Sequence, residues 1–197
     1  PYQGYEDKLL TELSSGSAPN IVWVPGATFS SYASKGVFVD LMPLIEADSN
    51  IAVEDFFPVV MDEIEHDGTL FGLPRDVGTM VVYYNVDMFE AAGLQTPQEL
   101  QAEGNWNWET MYEASLALTN DTESADEVTW GLDIPFWWPT YLNVVQQAGG
   151  SLFNEDRTAC ALNSEATLEA FEFLYKLYNG DDENPAVAPV PGSSTDA

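Results

Sequence analysis

Between Asp67 and Asn85 the chain reads D-G-T-L-F-G-L-P-R-D-V-G-T-M-V-V-Y-Y-N, and this stretch limits the possible folds more than any other. Asp67-Gly68 is a strong turn signal, followed by a short apolar run from Leu70 to Leu73 that Gly72 interrupts. Pro74 removes a backbone donor and holds Leu73 extended. Arg75 and Asp76 then set two adjacent charges into a segment otherwise almost free of them. From Val77 to Tyr84 the residue types predict a mostly buried β-strand. Two readings fit: a central sheet strand with a surface ion pair, or a chain passing between two rigid bodies with Gly78 as its flexible point.

At 197 residues the chain allows one large or two small domains, and no apolar run approaches the length of a membrane span. The charge balance narrows the partners. Asp and Glu number 33 against 5 Lys and Arg, a formal net charge of −28. Phosphate backbones and anionic membranes need clustered cations, so a nucleic-acid partner is not expected and an anionic membrane surface is excluded. The acids are spread along the whole chain and read as a solvated surface that resists aggregation; a saline habitat fits. Lys8 and Lys176 sit on patterned helices, Lys35 precedes Gly36, and Arg157 follows a turn, which leaves Arg75 as the cation placed where a cleft could be. Neutral or cationic ligands suit such a chain better than anionic ones. Cys160, in an alternating segment, is expected to be a small buried hydrophobe. The first residue is not methionine and a helical pattern begins at once, so the lack of a signal peptide says nothing about export.

Short helices are expected around Leu9, over Phe29 to Ser34 and Leu44 to Ala47, and along the stripe Phe56, Phe57, Val60, Met61 and Ile64, with Glu54 and Asp55 at its N-terminal end. Asn85 should cap a helix from Val86 to Ala92 that Gly93 closes, Pro97 should begin a loop, and Asn107 should cap a further helix. Helices are also expected over Leu142 to Ala148 and from Asn163 or Ser164 to Gly180. Ile21 to Val24 reads as a parallel strand covered on both faces, and it ends at Pro25-Gly26. Ligands gather at the carboxyl ends of such strands, which makes Trp23, Thr28 and Phe29 candidates; a core Trp and an ordinary loop is the alternative. Val128 to Ile134 reads as another strand, and Ser151 to Phe153 with Thr158 to Leu162 as a hairpin. Residues 181–197 are acidic, then rich in Pro, Gly and Ser, and read as loop or linker.

The aromatic run Phe136-Trp137-Trp138, continued by Tyr141 and flanked by Pro135 and Pro139, breaks the periodicity of core aromatics. At least one of the two indoles must therefore face away from the local core. An exposed indole offers a flat apolar face suited to stacking on a sugar ring. Glycine signatures for phosphate, metal clusters and nucleophile triads are all missing, and no cofactor is expected. His66 reads as a solvent-facing residue. Paired carboxylates stay open in so acidic a chain, with Asp76 and Asp133 beside the aromatic candidates.

Taken in order, S-G-S-A-P-N-I-V-W from Ser15, G-V-F-V-D-L-M-P-L-I from Gly36, D-G-T-L-F-G-L-P from Asp67, Y-Y-N-V-D-M-F-E-A-A-G-L from Tyr83, N-W-N-W-E-T from Asn105 and A-G-G-S-L-F-N from Ala148 resemble the extracellular solute-binding proteins of carbohydrate-type ABC transporters. The resemblance implies an α/β, periplasmic-binding-protein-like type II fold related to maltose-binding protein. Such a protein has two Rossmann-like lobes joined by a hinge and closes on a solute in the cleft. Both lobes would be incomplete here, since a full member is about twice this long. It has a strand and helix before the point where this chain starts and a second pair of crossings after it. Missing central strands would leave sheet edges and helix faces uncovered. The implied division is 1–76 in the N-terminal lobe, 77–85 as the first crossing, 86–180 in the C-terminal lobe and 181–197 as loop.

The function implied is non-enzymatic: extracytoplasmic capture of a neutral sugar or oligosaccharide, by a monomer in the periplasm or lipid-anchored at the outer face of the cell membrane, for delivery to a permease. Trp137 and Trp138 would stack on the ring, with Trp23, Phe29 and Tyr141 beside them. Arg75, Asp76, Thr28 and Thr79 would line the polar part of the site. Two other classes stay open: a secreted carbohydrate-active enzyme with two carboxylates, and a transport protein for a polyamine or other cation.

Overall fold

The computed structural model describes residues 4–48, 50–120, 128–135 and 137–191. The chain divides into two compact units, Pro1–Val81 and Val82–Ala197.

In the first unit, α1 (Tyr5–Ser15), α2 (Gly26–Ala33), α3 (Met42–Glu46) and α4 (Pro58–Ile64) precede a small hairpin. The hairpin pairs β1 (Glu65–His66) with β2 (Thr69–Leu70) antiparallel, Glu65 opposite Leu70 and His66 opposite Thr69. Asp67 and Gly68 both have left-handed backbone, at φ 50° and 75°, which is the two-residue turn whose twist matches its strands. The Leu41 N–H donates to the Leu70 carbonyl at 2.9 Å, and the Phe71 N–H to the Ile64 carbonyl at 3.3 Å. Leu9, Phe29, Tyr32, Ala33, Ile45 and Leu70 are buried, and Phe29 stacks on Phe38 with centroids 5.4 Å apart. The helix expected to begin near Phe56 starts at Pro58 instead. The proline at its first position holds Phe57 extended and exposed, and Glu54 and Asp55 lie in a separate 3₁₀ turn.

The expected strands correct more of the sequence reading. Residues 21–24 and 77–84 belong to no β-ladder among the described residues. Ile21, Val77, Met80, Val81, Val82 and Tyr83 are exposed rather than buried. A strand is defined by its ladder, and β-forming residue types without a neighbouring strand yield only extended chain. Of Val128 to Ile134, only Thr129 makes a β-bridge, to Asn120. The expected hairpin at 151–162 is reduced to the Phe153–Cys160 bridge, and Cys160 is exposed, not buried.

In the second unit, α5 (Val86–Ala92) runs from Asn85, whose Oδ1 accepts the Met88 N–H at 3.2 Å, to Gly93 at φ 67°. Pro97 starts a helix, α6 (Pro97–Ala102), where a loop was expected. Thr96 and Glu99 form a capping box around it, and proline suits a first helical turn that has no N–H to lose. Asn107 and Thr110 cap α7 (Trp108–Leu118) in the same way. The last two helices are α8 (Trp138–Gln147) and α9 (Glu165–Asn179), the latter capped by Ser164.

Tyr112 of α7, Leu174, Leu177 and Tyr178 of α9, and Val187 and Ala188 beyond it form the buried cluster of this unit. Trp108 stacks on Phe173 at 4.5 Å and donates from Nε1 to Gln147 Oε1 at 2.7 Å, which joins α7, α8 and α9. Gly131 crosses so close to α7 that a Cβ there would collide with the Ser115 carbonyl. Residues 181–191 are not a loose linker. Val187 and Ala188 are fully buried, and both N–H groups donate to the Leu177 carbonyl, at 3.0 and 3.1 Å. Val187 returns its own carbonyl to the Leu132 N–H at 3.0 Å.

Asp181 turns the chain back into that cluster. One of its oxygens faces Lys176 Nζ at 2.9 Å, and the other accepts the Glu183 and Asn184 N–H groups at 2.9 and 2.8 Å. The Lys176 ammonium, the backbone donors and the Asn184 amide hold the Asp181 carboxyl down at about 2, below the ordinary 3.8. A carboxylate whose folded-state pKa is depressed stabilises the native state above its unfolded pKa, and the contribution fades as pH falls through the folded value. The stability difference between the parent protein and Asp181→Asn is therefore expected to be constant above about pH 4 and to shrink toward pH 2. Urea unfolding across that range measures it, and a difference independent of pH would show that the ionised pair contributes nothing.

Candidate functional site

The candidate residues fall into two groups, one in each unit. In the first unit, Trp23 is fixed through its backbone. The Tyr5 hydroxyl donates to the Trp23 carbonyl at 2.8 Å and accepts the Trp23 N–H at 3.2 Å, while the two rings tilt together at 6.1 Å. The Arg75 guanidinium lies 5.1 Å from the Trp23 ring centroid, and its Nε donates to Asp76 Oδ2 at 2.9 Å. Trp23, Phe29, Glu63, Arg75 and Asp76 border a groove of about 730 Å³ whose remaining walls are largely apolar. The sequence had placed Trp23 and Arg75 in different segments, and the fold brings them together. Both members of the Arg75–Asp76 pair stay about two-thirds exposed, so donors and acceptors remain open to a ligand.

Two of the expected residues in this unit are otherwise engaged or displaced. Thr28 donates from Oγ1 to the Pro25 carbonyl at 3.2 Å, lies 3.4 Å from Glu6 Oε1, and does not border the groove. Thr79 is exposed and does not border the groove. Phe29 reaches the groove with a ring that belongs to the core.

In the second unit, Trp137 and Trp138 are exposed by 58% and 55% at the start of α8. Their centroids are 6.4 Å apart and their planes meet at 65°, edge toward face. The backbone holds the pair in place: the Trp137 N–H donates to the Pro135 carbonyl at 2.8 Å, and the Trp137 carbonyl accepts the Thr140 N–H at 3.0 Å. Phe136, read from sequence as part of this run, lies outside the described residues. Tyr141 is partly buried and packs against the buried cluster. Burial pushes its phenol up from the ordinary value, against the opposing effect of a hydrogen bond with Tyr178. Asp133 lies on a smaller cavity of about 190 Å³ with Trp106 and Trp130.

With this geometry in hand, the sequence matches the family of bacterial extracellular solute-binding proteins over residues 1–196. The chain belongs to that family. The arabinooligosaccharide-binding protein of Bacillus subtilis (strain 168) is 26% identical over 195 residues, which are 98% of this chain and 41% of that protein. Among solved structures, the ABC substrate-binding protein Lmo0181 from Listeria monocytogenes in complex with cycloalternan is 30% identical. It superimposes with a TM-score of 0.75 over 96% of this chain and 46% of that one. The sugar-binding protein MalE from Xanthomonas citri, 21% identical, shares the fold at a TM-score of 0.67, over 96% of this chain and 44% of that one. The chain thus spans less than half the length of each of these relatives.

Sequence reasoning missed Tyr5 and Glu63. Tyr5 read as part of an apolar helix stripe, yet its hydroxyl is what pins Trp23. Glu63 was not singled out, yet it borders the groove. Neither residue type nor spacing separates them from the background, because each acquires its place only once α1 and α4 flank the extended segment.

Proposed function

We propose that this chain is part of the solute-binding component of an ABC importer and that the protein binds a neutral sugar or oligosaccharide outside the cytoplasm. In this reading it works without catalysing a reaction and hands its solute to a membrane permease. Residues 1–76 belong to one Rossmann-like lobe and 86–180 to a second, both completed by chain beyond this sequence, with 77–85 as the hinge-bearing crossing between them.

The observation that carries the proposal is the exposed Trp137–Trp138 pair, held by backbone hydrogen bonds at the head of a helix. Two indole faces turned to solvent cost hydrophobic free energy unless something flat and partly apolar covers them, and a pyranose or furanose ring does. The groove of the first unit supplies complementary chemistry. Arg75 and Asp76 form a pair of zero net charge that can donate to and accept from hydroxyls. The sugar-binding relatives support the same class of ligand. A polyamine is a poorer fit, because the Trp23 face that would box an ammonium already carries the Arg75 guanidinium.

Titration calorimetry of the full-length protein against a panel of arabino-oligosaccharides, gluco-oligosaccharides, polyols and spermidine tests this directly. Saturable heat with a neutral saccharide and none with spermidine is the expected result. Silence across all the saccharides, or new products in a chromatogram of the incubated sugars, would overturn it.

A further inference from the structure

The structure shows how little of the excess negative charge is neutralised inside the molecule. Among the described residues no Asp or Glu is buried, so the carboxylates form a shell in contact with solvent. Three of the 5 cations are already bound to acids of their own neighbourhood: Lys8 to Glu12, Arg75 to Asp76 and Lys176 to Asp181. A fourth, Lys35, lies 5.7 Å from the Tyr32 ring centroid. The helices repeat the imbalance locally. Glu109 and Glu113 on α7, and Glu165 and Glu169 on α9, stand one helical turn apart with no cation between them on the same face. Glutamate and lysine at that spacing attract; two glutamates repel.

We propose that the folded state of this protein is governed by ionic strength, and that at neutral pH it is held in place by a dense atmosphere of monovalent cations over the carboxylate shell. The argument is one of length scales. Side chains one turn apart are separated by about 5–6 Å. The screening length is about 10 Å at 0.1 M salt and about 3 Å at 1 M. Ordinary physiological salt therefore leaves the nearest like charges unscreened, and screening between them becomes effective only toward molar concentrations. Unfolding moves the charges apart, so unscreened repulsion favours the unfolded chain. Stability should keep rising well past 0.15 M instead of levelling off there.

Urea unfolding of the intact protein at pH 7, without sugar and followed by tryptophan fluorescence, provides the test. The urea midpoint is expected to rise by about 1 M or more between 0.1 M and 2 M KCl. Trimethylamine N-oxide, which strengthens burial without screening charge, is the control, and the comparison protein is the double variant Glu113→Lys with Glu169→Lys. Both positions are exposed and lie outside the proposed binding residues, and each new lysine faces a glutamate one turn earlier. This variant should unfold at higher urea than the parent in 0.1 M KCl and gain less from 2 M KCl, while trimethylamine N-oxide raises both proteins equally. A parent midpoint unchanged between 0.1 and 2 M KCl would overturn the proposal, as would a variant with the parent's full salt response. Because no solute is present, either result leaves the sugar-binding reading untouched.

Discussion

The full-length protein carrying Trp137→Ala and Trp138→Ala together is expected to bind its saccharide about a thousandfold more weakly, which in calorimetry is loss of a measurable isotherm. Covering roughly 80 Å² of one indole face contributes about 2 kcal/mol at 25 cal/mol per Å². That is a factor of about 30 for each ring and about a thousand for the two. The geometry adds a further distinction. With planes meeting at 65° the two faces cannot lie flat on one sugar ring, so each indole serves a different face or a different residue of the saccharide. A monosaccharide should then depend on one tryptophan and an oligosaccharide on both. Because both side chains are exposed, the double variant should unfold at the parent's urea midpoint, which separates lost binding from lost folding. Unchanged affinity in a folded double variant would remove the pair from the site.

How far sequence carried the reading differs by element. Local rules located the caps of α5 and α7 and the Asp67-Gly68 turn to the residue, because cap and turn chemistry acts within three or four positions. The family was legible for a related reason: motif order and spacing survive even where single residues vary. Strands were overcalled, since β-propensity marks residues that suit a pleated surface and does not by itself place a neighbouring strand beside residues 21–24 or 77–84. In the candidate site, residue type alone singled out the two adjacent tryptophans. The Trp23–Arg75 contact joins residues far apart in sequence and was visible only after folding. Tyr141 shows what residue type alone leaves out. It shares the aromatic run, yet it packs against the buried cluster of the second unit.

The segment after α9 gives the sharpest case of composition misleading the eye, and it carries the second large effect. Acidic residues followed by Pro, Gly and Ser describe a linker, yet Val187 is fully buried against Leu177 and bonded through its backbone to both Leu177 and Leu132. Replacing Val187 by aspartate would put a carboxylate into that cluster, and the nearby cation, Lys176, is already held by Asp181. An unpaired charge in such a place typically costs 3–5 kcal/mol, a large part of a domain's whole stability. Val187→Asp is therefore expected to unfold the second unit in the absence of denaturant or to lower its urea midpoint by more than about 1 M. Val190→Asp, three positions on and 54% exposed, should change stability by no more than about 0.5 kcal/mol. The comparison holds composition and net charge equal, so burial is what separates the two variants. Equal midpoints for both would mean that residues 181–191 do not belong to the core and that the linker reading was right.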